Sequence, residues 1–252
     1  MSSPSVPDVV YVVGKSGTNE ELRYSLRSLR NIPHGTVWLA GYRPKWVRNV
    51  EHLPLRQEKT RYQNSTANLL AACHHPDVAD DVIYMNDDFF FLEPIERMPV
   101  YHWGKIEEAL GYYNGKYGRP SPGQRSGNYR RGMAQTADLL RRWGFDELLC
   151  YEVHVPMPIH KGRMAEAIRR AARDAPSIVA LHKRTLYGNL YRIGGEMLGT
   201  DRRPDVKVLT SDHTWDAGQL FVSTSNQSFN SGRVGRRLRK RFSEPSPYER
   251  SR

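Results

Sequence analysis

The sequence predicts an α/β fold in which a mostly parallel sheet is flanked by helices. Two observations predict it. The segments 8–13 and 82–86 contain, apart from Asp8 and Asn86 at their ends, continuous apolar runs with β-branched and aromatic residues, which is typical of strands buried on both faces. Segments with helical periodicity alternate with these runs, and strands that alternate with helices favour a parallel sheet. A chain of 252 residues fits one domain, so we predict a single domain over residues 1–252.

The first half of the chain contains the clearest elements. Strand 8–13 ends at a glycine turn, and a capping box of Thr18 and Glu21 predicts the start of a helix with Leu22, Leu26 and Leu29 on one face. Further strands are predicted at 36–40, 50–55 and 82–86, and a helix at 65–73. In such sheets, ligands bind beyond the carboxyl ends of the strands.

The second half is less regular. Five glycines and two prolines predict a long loop over residues 114–132, which would separate a first half (1–113) from a second half (133–252). Helices are predicted at 133–143 and 161–173, a short extended segment at 151–157, and late strands at 206–209 and 220–223.

Composition excludes several classes of protein. No apolar run approaches about 18 residues, which excludes a membrane span, and residues 1–7 lack the features of a secretory signal. Two cysteines do not support a disulfide scaffold, so a cytoplasmic location is the default. The formal net charge of +11 favours anionic partners. Residues 233–241 are predicted to be a solvated basic tail, and they lack the interleaved aromatics of a nucleic-acid-binding module.

The sequence Asn86-Asp87-Asp88 directly follows a buried strand. Two adjacent carboxylates there cost desolvation free energy unless a positive charge compensates them. A divalent cation such as Mg²⁺ or Mn²⁺ prefers oxygen ligands and bridges to a diphosphate. The alternative is an ordinary turn after a strand, in which Asn and Asp are common.

Two further segments carry candidate chemistry. Glu152 and His154 would point to the same side of an extended segment, where the acid can orient the imidazole as a general base. His182, Lys183 and Arg184 offer three side chains that can be cationic and that can hold a diphosphate leaving group. The alternative for Glu152 and His154 is an exposed polar edge, and the alternative for residues 182–184 is a charged strand end. The sequence contains neither the paired Cys and His spacing of a structural zinc site nor a P-loop motif.

Together these segments resemble the Stealth-type sugar-phosphate transferases. The resemblance rests on residues 8–11 (DVVY), 22–29 (LRYSLRSL), 63–65 (QNS), 84–90 (YMNDDFF), 154–156 (HVP) with Lys161, and 242–249 (FSEPSPYE). The last of these completes a pattern similar to small glycosyltransferases encoded by bacteriophages of actinobacteria. The sugar-phosphate transferases usually continue their first region with Thr-Trp-Val-Asp-Gly, whereas Tyr11 is followed here by Val12-Val13-Gly14. Their fourth region is also incomplete in this chain, because no aspartate follows Asn226. Both differences favour glycosyl transfer over phosphosugar transfer.

The resemblance implies a GT-A-like, Rossmann-like fold and a metal-dependent glycosyltransferase. It implies a nucleotide-sugar donor, bound by the first half, and an acceptor hydroxyl on a phage virion protein in the host cytoplasm. Asp87 and Asp88 would hold Mn²⁺ or Mg²⁺, with Asp88 also catalytic, and Glu152 would orient His154 toward the acceptor. The remaining donor-binding residues would be Val10, Tyr11, Gly14, Lys161, His182, Lys183 and Arg184.

Two alternatives to glycosyl transfer stay open at this point: transfer of a sugar 1-phosphate, and a non-enzymatic basic protein that binds nucleic acid or a virion. The sequence leaves the oligomeric state undecided.

Overall fold

The computed structural model describes residues 6–121, 124–198, 207–208 and 214–250. The strands are β1 (Asp8–Val13), β2 (Val37–Gly41), β3 (Glu51–Pro54), β4 (Asp81–Asn86), β5 (Phe89–Phe91), β6 (Tyr101–His102), β7 (Met157–His160), β8 (Glu196–Met197), β9 (Lys207–Val208) and β10 (Phe221–Thr224). The helices are α1 (Glu20–Ser28), α2 (Arg61–His74), α3 (Ile106–Tyr117), α4 (Asn128–Arg142), α5 (Lys161–Asp174), α6 (Lys183–Leu190), α7 (Asn226–Ser231) and α8 (Arg233–Arg241).

A five-stranded sheet forms the centre of the fold, in the order β3-β2-β1-β4-β7. The first four strands are parallel, and β7 pairs antiparallel with β4. Helices cover both faces of this sheet. The predicted fold class, an α/β fold with a mostly parallel sheet flanked by helices, is therefore confirmed.

Burial on both faces explains why β1 is apolar throughout. Val9, Tyr11 and Val13 belong to a core cluster that also contains leucines of α1 and side chains of α3 and α4. Val10 and Val12 point the other way, into a second cluster formed with α2 and α5. Alternate residues of a strand face opposite sides of a sheet, so a strand between two helical layers needs apolar residues at every position.

A smaller sheet lies beyond the end of β4 and has the order β5-β10-β9. β10 pairs antiparallel with β5, so that Ser223 lies opposite Phe89. The strand predicted at 220–223 is confirmed with a shift of one residue. The strand predicted at 206–209 is present as β9, and residues 206 and 209 lie outside the described residues.

Three local predictions need correction. The first helix is capped by Asn19, not by Thr18, and begins at Glu20. The predicted loop at 114–132 is shorter, because α3 runs to Tyr117 and α4 begins at Asn128. The segment 151–156 forms no strand, and β7 begins only at Met157.

The predicted basic tail is also wrong, because residues 233–241 form α8. Val234 and Leu238 lie four residues apart on one face of this helix and are fully buried together with Phe242. The density of arginines in the sequence hid this short apolar stripe. Several of these arginines bind carbonyl groups of the chain itself, among them Arg237 with Trp215 and Arg239 with Phe229.

No helix within the described ranges combines the length and the apolar composition that crossing a membrane requires.

Candidate active site

A cavity of about 710 Å³ opens at the carboxyl ends of β1 and β4. Val12 in β1 and Gly14 just after this strand line the cavity, and the segment 86–88 lines it at the end of β4. The first turn of α2, the start of α6 and aromatic side chains near α3 and α4 complete its walls. This is the edge of a parallel sheet at which ligands are expected to bind.

Both predicted metal ligands, Asp87 and Asp88, line this cavity. Asn19 Nδ2 donates a hydrogen bond of 2.7 Å to Asp87 Oδ2. The carboxylate of Asp88 is 18% exposed, and its Oδ2 lies 3.8 Å from Nε2 of His154. Asn86, the residue before the pair, accepts a hydrogen bond of 3.4 Å from Arg184. The end of β4 therefore presents two carboxylates toward the same open space.

Asn19 is a residue of the site that no sequence pattern indicated. Its backbone is left-handed, with φ 46° and ψ 67°. In this conformation its side-chain oxygen accepts from the backbone N–H of Leu22 at 3.1 Å, while its amide group reaches Asp87. Asn is a favoured N-cap residue and tolerates the left-handed region. That preference was the available signal for the cap, but the contact with Asp87 depends on the tertiary structure.

His154 also lines the cavity, in a conformation that the sequence did not predict. Its φ is 55°, which is uncommon for a residue other than glycine. Its Nδ1 shares a hydrogen bond of 2.9 Å with Ser223 Oγ on β10, and its ring packs edge-on against Phe89. Ser223 is fully buried, so it positions the imidazole from behind, while Nε2 faces Asp88.

The predicted pairing of Glu152 with His154 is wrong. Glu152 Oε1 lies 3.7 Å from Nδ1 of His182, and Oε2 lies 3.9 Å from Nη1 of Arg184. Its Oε1 also accepts a 3.4 Å hydrogen bond from the backbone of Thr185. The prediction assumed an extended backbone, in which residues 152 and 154 share a side, and the positive φ of His154 breaks that alternation.

Lys183 and Arg184 stand in the first turn of α6 and line the cavity. Lys183 Nζ donates to Ser65 Oγ on α2 at 3.3 Å. The guanidinium of Arg184 lies 4.2 Å from the centre of the Tyr84 ring, and the residue is only 6% exposed. Among the described residues, its buried Nε has no hydrogen-bond partner. Two cations and a helix N-terminus therefore give this side of the cavity a positive potential.

His182 lines the same cavity but does not act as the third cation that the sequence suggested. Burial lowers the pKa of its imidazole, and the nearby Glu152 carboxylate only partly offsets that effect. The ring is therefore neutral at pH 7, with Nε2 donating to the carbonyl of Tyr129 at 2.9 Å. His182 thus holds α6 against α4, and its Nδ1 faces Glu152.

Three predicted donor-binding residues lie away from the cavity. Val10 and Tyr11 are buried in the core, and the Tyr11 hydroxyl bonds to Ser25 at 2.9 Å. Lys161 follows His160, which pairs with Asp81 at the other end of β4, so about 16 Å of strand separates it from the aspartates. Its Nζ binds carbonyl groups of the loop at 75–78 and lies 3.7 Å from Asp80.

Four aromatic side chains, which we call the aromatic wall, line the side of the cavity near α3 and α4. They are Trp103, Tyr113, Tyr117 and Tyr129. The ring of Tyr113 touches the other three, with centroid distances of 5.9 Å to Trp103, 6.4 Å to Tyr117 and 5.8 Å to Tyr129. No sequence pattern singled these residues out: Tyr117 and Tyr129 lie within the predicted loop at 114–132, and no element was predicted around Trp103 and Tyr113.

A metal ion would have to rely on few protein ligands. Within the described ranges, no group of three or more His, Cys, Asp and Glu side chains is arranged to hold a metal. The two carboxylates of Asp87 and Asp88 suit a hard cation such as Mg²⁺ or Mn²⁺, which often binds one or two carboxylates and completes its coordination with substrate phosphates. The residues present therefore fit a cation that binds together with a phosphorylated ligand.

No family model and no curated protein sequence matches this chain. Solved structures do match it, among them mouse xyloside xylosyltransferase 1 in its apo form. The TM-score is 0.37 and the sequence identity is 7%, over 82% of this chain and 88% of the mouse chain.

Proposed function

We propose that this protein is a glycosyltransferase that moves a sugar from a nucleotide-sugar donor to an acceptor hydroxyl. One observation carries the proposal. A single cavity at the carboxyl edge of the sheet is lined by the carboxylate pair Asp87 and Asp88, by the cations Lys183 and Arg184, and by His154. This combination suits a substrate that carries a diphosphate and reacts with a hydroxyl group.

The cationic side of the cavity is suited to the diphosphate of the donor. When the glycosidic bond breaks, negative charge grows on the diphosphate oxygen that leaves the sugar. Lys183 and Arg184 stabilise that charge more strongly inside a protein cavity than in water. Arg184 is almost fully buried, and its guanidinium is held over the Tyr84 ring and by a hydrogen bond to Asn86, so its charge is fixed beside the cavity.

The carboxylate pair calls for a divalent cation in this proposal. Asp87 and Asp88 would repel a diphosphate in the same cavity unless a positive charge lay between them. Mn²⁺ or Mg²⁺ held by these two side chains, when bound, supplies a Lewis acid for the departing diphosphate. Asn19 supports this arrangement because its hydrogen bond fixes the orientation of the Asp87 carboxylate.

His154 is the residue that we assign to the acceptor hydroxyl. Its Nδ1 is held by Ser223, so Nε2 keeps a fixed direction into the cavity. With Nδ1 donating to Ser223, Nε2 carries a lone pair that can take the proton of the acceptor as its oxygen attacks the sugar. Asp88, 3.8 Å away, then stabilises the imidazolium that forms. Glu152 instead contacts His182 and Arg184.

The experiment that tests the proposal is a screen of nucleotide-sugars with Mn²⁺, read out by product analysis. Release of a nucleoside diphosphate, by transfer or by slow hydrolysis, supports glycosyl transfer. Release of a nucleoside monophosphate would instead show transfer of a sugar 1-phosphate. If no donor is consumed and none raises the melting temperature, the enzyme proposal is wrong.

The acceptor implied by the resemblance, a hydroxyl group on a phage virion protein, is part of the same proposal. It is tested by adding virion proteins to the donor that the enzyme turns over and measuring the mass increase of one sugar.

Lys183→Met is expected to weaken binding of nucleoside diphosphates about tenfold, because it removes one cation from the diphosphate side of the cavity. Isothermal titration with the diphosphate and Mn²⁺ measures this. Lys240→Met is the matched control, since Lys240 is exposed on α8. Equal affinities for the two variants would contradict the assignment of Lys183.

A further inference from the structure

The aromatic wall is a feature of the cavity that the diphosphate and the metal do not use. Trp103 is buried, Tyr113 and Tyr129 are half-buried, and Tyr117 is 50% exposed at the mouth. A row of aromatic rings that runs from the interior to the surface on one side of a cavity offers apolar ring faces to a bound molecule. The face of an aromatic ring carries partial negative charge and attracts the slightly positive C–H groups of a ligand.

We propose, on the basis of the glycosyltransferase function above, that the aromatic wall binds a pyranose ring of the acceptor. The acceptor would therefore already carry a sugar, and the enzyme would extend a glycan. A glycan attached to a protein satisfies both this inference and the protein acceptor proposed above.

The polar groups beside the wall suit a hydroxylated neutral ring. The ring of Tyr129 packs at an angle of 60° against that of His182, with a centroid distance of 4.5 Å, and His182 Nδ1 in turn lies 3.7 Å from Glu152 Oε1. The Glu152 carboxylate therefore lies between the wall and the cationic side of the cavity. A carboxylate accepts hydrogen bonds from sugar hydroxyls. Burial also raises the pKa of Tyr113 and Tyr129, so both phenols remain hydroxyl donors at neutral pH.

The position of the wall assigns it to the acceptor and not to the donor. Lys183 and Arg184, which would hold the donor diphosphate, are 8% and 6% exposed. Tyr117 lies at the open end of the wall, where a larger molecule can extend into solvent. The first turn of α2 contributes a separate ring, Tyr62, to the lining of the cavity. A nucleobase therefore has an aromatic contact that does not require the wall.

The test compares Tyr117→Ala with Tyr112→Ala. Both tyrosines are exposed on α3, at 50% and 44%, and Lys116 lies over both rings, but only Tyr117 lines the cavity. Binding of methyl pyranosides to the full chain is measured by ligand-observed saturation-transfer NMR, with sorbitol as an open-chain polyol without a ring face. We expect Tyr117→Ala to lose about three- to tenfold in pyranoside affinity, and Tyr112→Ala to match the wild type.

Several results would overturn the inference. They are the absence of pyranoside binding to the wild type, equal binding of sorbitol and pyranosides, and equal loss in the two variants. Loss of uridine or adenosine binding in Tyr117→Ala, with pyranoside binding unchanged, would assign the wall to a nucleobase instead. Binding of nucleoside diphosphate with Mn²⁺ to the wild type is measured separately. If the wild type does not bind nucleoside diphosphate with Mn²⁺, the proposed function is contradicted. If it binds the nucleoside diphosphate but not the pyranosides, only the inference about the aromatic wall is contradicted.

Discussion

Asp88→Asn is expected to lower kcat about 10³-fold while the protein stays folded. The substitution keeps the shape of the side chain and removes the negative charge that would hold the cation against the diphosphate. It also removes the carboxylate that lies 3.8 Å from His154 and would stabilise the imidazolium. The measurement is release of nucleoside diphosphate at saturating Mn²⁺, with the donor that the wild type turns over fastest.

Asp81→Asn is the matched control for this experiment. Asp81 begins the same strand, β4, and is exposed at the end opposite Asp88. We expect Asp81→Asn to retain wild-type turnover. Mn²⁺ binding, measured by electron paramagnetic resonance, should weaken only in Asp88→Asn. Turnover of Asp88→Asn within a few fold of the wild type would show that the metal assignment is wrong.

Glu249→Gln is expected to lower the free energy of unfolding by about 2–3 kcal/mol, because it leaves the charge of Arg27 without its partner in a mostly buried site. Arg27 on α1 makes two hydrogen bonds of 2.7 Å to the two oxygens of Glu249. Arg27 also donates to the carbonyls of Phe242 and Ser243 at 2.9 Å. This pair therefore fastens the segment after α8 to the first helix. Urea denaturation at pH 7 measures the loss.

The same pair predicts how stability changes with acid. Burial alone would raise the pKa of Glu249, but the hydrogen bonds from Arg27 and from the backbone of Ser246 outweigh it and hold the pKa below its ordinary value. The contribution of the pair to the free energy of unfolding is therefore complete above the ordinary glutamate pKa of about 4.3. It is lost as the pH falls through the lowered pKa of Glu249 in the folded protein. We expect the difference between Glu249→Gln and the wild type to shrink below about pH 4.

Glu244→Gln is the control for the stability experiments, since Glu244 is exposed in the same segment. Its effect should stay within about 0.5 kcal/mol at every pH. If both glutamate variants lose the same stability, or if the loss in Glu249→Gln does not depend on pH, the pair does not fasten this segment.

Much of the site could be found from the sequence where local pattern and position coincide. The apolar run of β4 ends directly before Asp87 and Asp88, so the strand itself carries both carboxylates to the ligand-binding edge of the sheet. Lys183 and Arg184 were singled out by their charge, and the structure places them at the start of α6. Lys161 was assigned by resemblance alone, and strand pairing puts it at the far end of β4.

Which side chains contact the site residues could not be predicted from the local sequence pattern. The contact of His154 with Ser223 joins residues 69 positions apart, and it exists because β10 pairs with β5 beside the aspartates. Glu152 contacts His182 and Arg184, which lie about 30 positions further along the chain, and the positive φ of His154 removes the strand alternation that the sequence suggested. The aromatic wall forms only when α3 and α4 pack together, since Tyr113 and Tyr129 belong to different helices.

For this protein, the order of apolar and polar residues along the chain was sufficient to predict the parallel strands, several of the covering helices and the edge at which the carboxylates emerge. Those features depend on periodicity and burial, which neighbouring residues specify together. Only the tertiary structure decided which side chain faces which across the cavity. Such contacts depend on single backbone angles and on the pairing of distant strands, and neither leaves a periodic signal in the sequence.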